Sequence, residues 1–226
     1  GDTMLARTSA ALLLATAAAA LLQSPAPAAA TLGLDVSAEL TEADWRCLAG
    51  DHDFAVVRCW HSYGAPDTSA PVNIARARAA GFSHVDAYVF PCFRCGDGAA
   101  QVGKAVGALR AANASFGQIW LDIEGAGQYW SDNKTANAEF FVSLRRGMAA
   151  AGVSGGVYAS AHSWAGIFDA SFADGAEHGL ELWWSSRGPA SFDGFEGYGG
   201  WKKPSMRQYN DAGPWTCGVE YDRDFY

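Results

Sequence analysis

Two carboxylates stand two residues apart near the middle of the chain, Asp122 and Glu124 in Trp120-Leu121-Asp122-Ile123-Glu124-Gly125. The apolar run Ile119-Trp120-Leu121 precedes them and a glycine follows. This pattern reads as a buried strand running out into a loop, and residues two apart on a strand face the same way. Neighbouring carboxylates resist ionising together, so one of them keeps its proton above its ordinary pKa. A protonated carboxyl beside an ionised one is what glycoside hydrolysis needs: the acid protonates the leaving oxygen while the other group assists at the sugar. On this reading Glu124 is the acid and Asp122 the ionised partner. The same two residues would also suit a capping Asp and a solvent-facing Glu, so further acids matter. Asp35 lies in Gly33-Leu34-Asp35-Val36-Ser37 at the start, and Asp222 in Tyr221-Asp222-Arg223-Asp224-Phe225-Tyr226 at the end. If the first and last strands are neighbours in a closed sheet, Asp35 and Asp222 meet at one rim. Asp86, in His84-Val85-Asp86-Ala87-Tyr88, is a further candidate for that rim. The Gly-x-Ser-x-Gly elbow of a serine acyl transferase is absent.

The elements that must position these acids follow from the hydrophobic pattern. Candidate strands are Leu32–Ser37, Phe54–Trp60, His84–Phe90, Gln118–Glu124, Gly155–Ser160, Leu180–Ser185, Ser205–Tyr209 and Glu220–Phe225. Helical spacing covers Asn73–Ala80 before Gly81, Gln101–Ala112, and Ala136–Ala151 before Gly152. Strand followed by helix, repeated, argues for a parallel sheet. A strand at each end argues that the sheet closes. Connections after residue 160 are too short and glycine-rich for full helices. The expected fold is α/β: a TIM-like (β/α) barrel with an irregular, helix-poor second half, with a doubly wound open sheet as the alternative. Trp183 and Trp184 end the sixth strand, and alternation sends one to the barrel mouth as a stacking platform and the other to the outer layer. Trp183 is carried forward as the candidate.

Composition narrows the partners. The chain has 226 residues and a formal net charge of −8. An acidic chain of this kind argues against nucleic acid and anionic membranes as main partners. Residues 1–30 read as an N-terminal extension and a leader: Arg7, an Ala- and Leu-rich run from Ala10 to Leu22, then Ala28-Ala29-Ala30. Cleavage is expected near Ala30, giving a secreted or lumenal protein with one domain over 31–226. Five cysteines in a secreted chain read first as disulfides. Cys92 and Cys95 suit a local loop staple, Cys47 and Cys217 then pair, and Cys59 in an apolar run is left as a buried thiol. No second CxxC or spaced His pair completes a zinc site. No metal or organic cofactor is expected, and the chain is taken as a monomer.

Beyond the acids, an ordered series of segments carries a resemblance. It comprises Leu34-Asp35-Val36-Ser37, Phe54-Ala55-Val56-Val57-Arg58, Tyr88-Val89-Phe90-Pro91-Cys92, Trp120 to Gly125, Gly156-Val157-Tyr158-Ala159-Ser160, Gly199-Gly200-Trp201, Gln208-Tyr209 and Asp222 to Tyr226. Together these resemble the glycoside hydrolase family 25 lysozymes, in particular the eukaryotic branch of nematodes and amoebae. The resemblance implies a barrel with an irregular second half and muramidase action on bacterial peptidoglycan. It implies Glu124 as general acid, Asp122 as holder of the substrate's N-acetyl group or as base, and Asp35 and Asp222 lining the same pocket. Tyr88, Tyr158 and Gln208 fall at substrate-facing positions. Where the family often ends in Asp-x-Asn, this chain has Asp222-Arg223-Asp224, which adds a charge near the mouth. Family 18 chitinases also end a strand in Asp-x-Glu. Their further carboxylates, four and seven residues before the Glu, would fall here at Trp120 and Gly117, which count against that family. A non-catalytic glycan-binding or immune-signalling relative is the alternative, disfavoured because a pure binder has little need of paired carboxylates.

Overall fold

The structure is a computed structural model that describes residues 1, 30–210 and 216–226. The expected leader falls in 2–29, outside the described residues. From residue 32 the chain alternates strand and helix: β1 Leu32–Val36, α1 Glu42–Leu48, β2 Phe54–His61, β3 Ala65–Pro66, α2 Ala70–Ala80, β4 His84–Val89, α3 Gly98–Ala111, β5 Ile119–Asp122, α4 Lys134–Ala151, β6 Gly155–Ala159, α5 Ala161–Ile167, α6 Asp174–Glu177, β7 Glu181–Ser185, β8 Met206–Asn210 and β9 Asp222–Phe225. The sheet order is β1-β9-β8-β7-β6-β5-β4-β2-β3, and β1 also pairs with β2. That pairing closes an eight-stranded ring, with the two-residue β3 hanging on β2. Each of the eight candidate strands is a stave of this ring.

The ring is not parallel throughout, as the sequence pattern suggested. β1, β2, β4, β5, β6, β7 and β8 run parallel, but β9 is antiparallel to both β8 and β1. A parallel neighbour needs a crossover of about a dozen residues or more, usually helical. The chain between Asn210 and Asp222 is shorter than that, so the last strand folds straight back. The helix-poor second half is as expected: α5 has seven residues, α6 has four, and the path from β7 to β8 has no helix.

Helix ends follow local chemistry. Gly81 and Gly152 adopt left-handed backbone at the ends of α2 and α4, where a Cβ would be strained. Asn133 caps α4 by accepting from Ala136 N, and Asp97 caps α3 by accepting from Ala100 N. α1 is a helix that apolar spacing did not signal. It is set by a capping box in which Thr41 accepts from Asp44 N while the Asp44 carboxylate accepts from Thr41 N.

Two apolar layers share the sheet. Leu34, Ala55, Val57, Val85, Ala87, Ile119, Leu121, Val157 and Leu182 pack outward against the helices. Inside the ring sit Phe54, Val56, Tyr88, Trp120, Trp183 and Met206. These large rings fit because small residues face them. A Cβ on Gly33 would enter the Phe54 ring, and one on Gly156 would enter the Trp120 ring and meet the Glu181 carbonyl oxygen. Trp184, the neighbour of Trp183, faces outward, against Phe195 and under the Arg207 guanidinium at 4.3 Å. Disulfides join Cys47 to Cys217 and Cys92 to Cys95, leaving Cys59 a buried thiol.

Replacing Gly156 by Ala should overpack the barrel interior against a rigid indole and a backbone carbonyl. The expected loss is about 1–3 kcal/mol of unfolding free energy, read as a lower midpoint in a denaturant melt. An unchanged midpoint would mean that the ring interior is looser than described.

Candidate active site

The eight parallel and antiparallel staves leave one end of the ring as the end where the parallel strands finish. In barrels of this kind, chemistry gathers there. A cleft of about 320 Å³ opens at this end, and Asp35, Asp122, Glu124 and Asp222 line it together with Tyr88, Tyr158, Trp183 and Gln208. Eight of the nine residues singled out in the sequence for the site are therefore brought to one place, Asp86 being the exception.

Strand ends do the positioning. Asp122 is the last residue of β5, and one further ladder bond, Ile123 N to Tyr158 O at 2.8 Å, holds the chain straight past it. Glu124 is thereby kept on the same face as Asp122. Gly125 then turns the chain with a left-handed φ of 71°, and both Gln128 N and Tyr129 N donate to its carbonyl. Antiparallel pairing puts Asp35 of β1 directly opposite Asp222 of β9. Asp86 does not join them. It faces the opposite end of the ring, where the parallel strands begin, and is held there by Gln118 N, Trp120 Nε1 and His84 Nε2 at 2.7, 2.9 and 2.9 Å. The reason is register: Asp86 is one inward step before Tyr88, deeper than the mouth. Trp183 is the tryptophan that faces in, at 4.7 Å between ring centroids from Tyr158 and 5.8 Å from Trp120.

A chain of hydrogen bonds orients the wall. Tyr158 OH donates to Gln208 Oε1 at 2.7 Å and lies 3.0 Å from Ser185 Oγ. That fixes the amide so that Gln208 Nε2 donates to Asp35 Oδ2 at 2.7 Å. Two participants were not read from the sequence as site residues, Ser185 and Asp224. Asp224 is fully buried beneath the cleft and accepts from Trp183 Nε1 at 2.8 Å. Simple alternation from Asp222 would have placed it on the inner face.

Electrostatics set the site apart from the rest of the chain. Burial pushes the Asp35 carboxyl up from its ordinary 3.8 to about 6, opposed by the hydrogen bond from Gln208 and by the neighbouring Asp224 carboxyl, and reinforced by the charge on Glu124. Burial, then the charges of Glu124 and Asp35, hold Asp122 well above the usual carboxylate range, with Arg58 pulling the other way. Glu124 is raised by burial. Asp224 is held well above its ordinary value by burial and the charge on Asp35. The sequence suggested one raised and one ordinary carboxyl, whereas burial raises Asp35, Asp122, Glu124 and the underlying Asp224 alike. Asp122 Oδ1 is buried without a hydrogen-bond partner from the protein. The Tyr88 and Tyr158 phenols are pushed up by burial and the acids around them, which keeps them neutral donors. Among the described residues, no group of three or more His, Cys, Asp or Glu is arranged to hold a metal ion.

Residues 26–209 match the family model described as lysozyme-like protein 1. The chain is 40% identical over 196 residues to probable GH family 25 lysozyme 2 of Dictyostelium discoideum, covering 86% of this chain and 90% of that protein. It is 31% identical over 201 residues to lysozyme-like protein 5 of Caenorhabditis elegans, covering 87% and 92%. In fold it is similar to the bacterial lysozyme from Streptomyces coelicolor, with a TM-score of 0.67 and 19% identity over 87% of this chain and 92% of that one.

The raised Asp35 carboxyl has a consequence for stability. Below pH 4 it is protonated both folded and unfolded. Between its ordinary 3.8 and about 6 the folded state holds a proton that the unfolded state has released. Stability contributed through Asp35 therefore falls as pH rises through that window. An Asp35→Asn variant escapes this. Its advantage over the wild type in urea melts should grow between about pH 4 and about pH 6, by up to about 3 kcal/mol for a shift of this size. A constant difference across the window would contradict the burial argument.

Proposed function

The chain belongs to the lysozyme-like proteins of glycoside hydrolase family 25, and on that premise we propose that it is a muramidase. It hydrolyses the β-1,4 bond between N-acetylmuramic acid and N-acetylglucosamine in bacterial peptidoglycan. One observation carries this reading: four carboxyls from β1, β5, the loop after β5 and β9 converge on a single aromatic-walled cleft. Acids this crowded are destabilising to the fold, and a protein that only bound glycan would do better with amides.

The roles divide by position. Glu124 is half-buried at the edge of the cleft, where it can reach a leaving group and still exchange with water. Its raised pKa keeps the proton on it into the range where an ordinary Glu has ionised. It gives that proton to the glycosidic oxygen as the C–O bond breaks. Asp122 lies deeper, and its unpartnered Oδ1 suits the N–H of the sugar's acetamido group. Arrival of that donor favours the ionised form of Asp122, which supplies the negative charge that the oxocarbenium-like transition state needs. Asp35 and Asp222 extend the acidic wall. Tyr88, Tyr158 and Gln208 present donors and acceptors, and Trp183 backs the pocket as an apolar surface. We place this activity in a secreted or lumenal compartment, where disulfides such as Cys47–Cys217 persist. Among the described residues, no helix is long and apolar enough to cross a membrane. The acting unit is taken as the monomer.

The test compares wild type with Glu124→Gln on purified peptidoglycan, following new reducing ends and identifying the sugar at each. Wild type should release muramic-type ends, and the variant should be slower by at least about 100-fold. Activity of the wild type should fade only as pH rises past the ordinary Glu range, as Glu124 loses its proton. Release by neither protein, with wall binding kept by both, would convert the reading to a non-catalytic glycan binder.

A further inference from the structure

Asp224 combines total burial with an incomplete set of partners. It sits on β9 with Gly33 of β1 on one side of the ladder and Gln208 of β8 on the other. Its Oδ1 accepts from Trp183 Nε1 at 2.8 Å. Its Oδ2 is buried and receives no N–H or O–H from the groups that ordinarily donate. The side chain beside the Asp224 carboxyl is another acid, Asp35. A buried ionised carboxylate lacking a donor is costly, and two of them face to face are worse. A single proton between them removes both difficulties, because it turns like-charge repulsion into a charge-assisted hydrogen bond.

Position decides where that proton resides. Asp35 lines the cleft, and Gln208 Nε2 donates to it at 2.7 Å, which supports a negative charge. Asp224 lies beneath, with the Trp183 indole N–H as its donor. Among the described residues that line the cleft, the other groups near the pair carry no positive charge. They are Asp222 on the same strand, Tyr88 on β4, and Asp122 with Glu124 at the end of β5. Arg58 on β2 bears on Asp122 and Tyr88, and is itself bonded to Asp67 and to the Ser37 carbonyl. We propose that Asp224 is a neutral carboxylic acid whose Oδ2–H donates to Asp35, making it a positioning residue that keeps Asp35 ionised and aimed at the cleft. The assignment concerns protonation and stands whatever the substrate; only its kinetic consequence rests on the hydrolase reading.

Two substitutions separate this from a merely structural role. In Asp224→Asn, the amide oxygen can still accept from Trp183 while the amide N–H donates to Asp35. Asp224→Leu removes both bonds. Carboxyl carbon shifts of aspartate, followed by NMR from about pH 4 to about pH 9, read the protonation directly. In wild type, one aspartate carboxyl should stay protonated through neutral pH and be missing from both variants. The Asp35 midpoint should remain near its wild-type place in Asp224→Asn and rise in Asp224→Leu by about one unit, a tenfold gain in proton affinity. Where hydrolysis is measurable, the ascending limb of kcat/KM should move with that midpoint. Asp224 titrating in the ordinary carboxylate range would overturn the proposal. So would an Asp35 midpoint displaced as far by Asn as by Leu. If the Leu variant does not fold, the wild-type and Asn titrations still decide. Failure to cleave peptidoglycan would remove the proposed activity and leave the NMR outcome intact.

Discussion

Closure of the ring by β9 is the constraint on which the site depends. Seven parallel strands by themselves would leave two edges and a gap beside β1. The antiparallel return fills the gap with Asp222 opposite Asp35, and with Asp224 opposite Gly33. It also brings Gln208 of β8 within reach of Asp35, a bond that joins residues 173 positions apart. None of these contacts is local. They exist because a strand from one end of the chain is inserted beside a strand from the other.

The ring interior grades from apolar to acidic along its axis. Phe54, Trp120 and Met206 fill the deep end, Trp183 and Tyr88 the middle, and the four lining carboxyls the mouth. The aromatic filling excludes water and lowers the local dielectric, which is why burial is the leading cause of every raised acid in the site. The same enclosure that weakens the fold near neutral pH keeps protons available for acid chemistry. Stability is given up at the mouth and recovered in the outer layer, where aliphatic side chains of the strands pack on the helices.

Much of this was legible in the sequence, for identifiable reasons. The eight strands stood out because each is a short apolar run bounded by polar or glycine-rich chain. The convergence of Asp35 with Asp222 followed from closure, and that of Asp122 with Glu124 from the two-residue repeat. What escaped was set by other physics. α1 rests on a capping box over seven residues and not on apolar spacing. The direction of β9 follows from the shortness of the chain before it. Asp86 looked like a rim acid because alternation gives the face and not the depth. Asp224 was noticed as a charge, but its burial depends on Trp183 and Asp35, partners 41 and 189 positions away.

The seam between the first and last strands also has a mechanical character. Thr31 and Tyr226 exchange both backbone hydrogen bonds, at 3.0 and 3.1 Å, so the two ends of the ladder lie side by side. A load pulling Thr31 and Tyr226 apart would not shear the ladder as a whole. It would unzip β1 from β9 one bonded pair at a time, the weak direction for a sheet. The Cys47–Cys217 bridge stands just behind both strands. Only the chain before Cys47 and after Cys217 can then pay out, and the force passes into a covalent link before β2 or β8 is reached. The barrel is thus soft at its seam and stiff immediately beyond it.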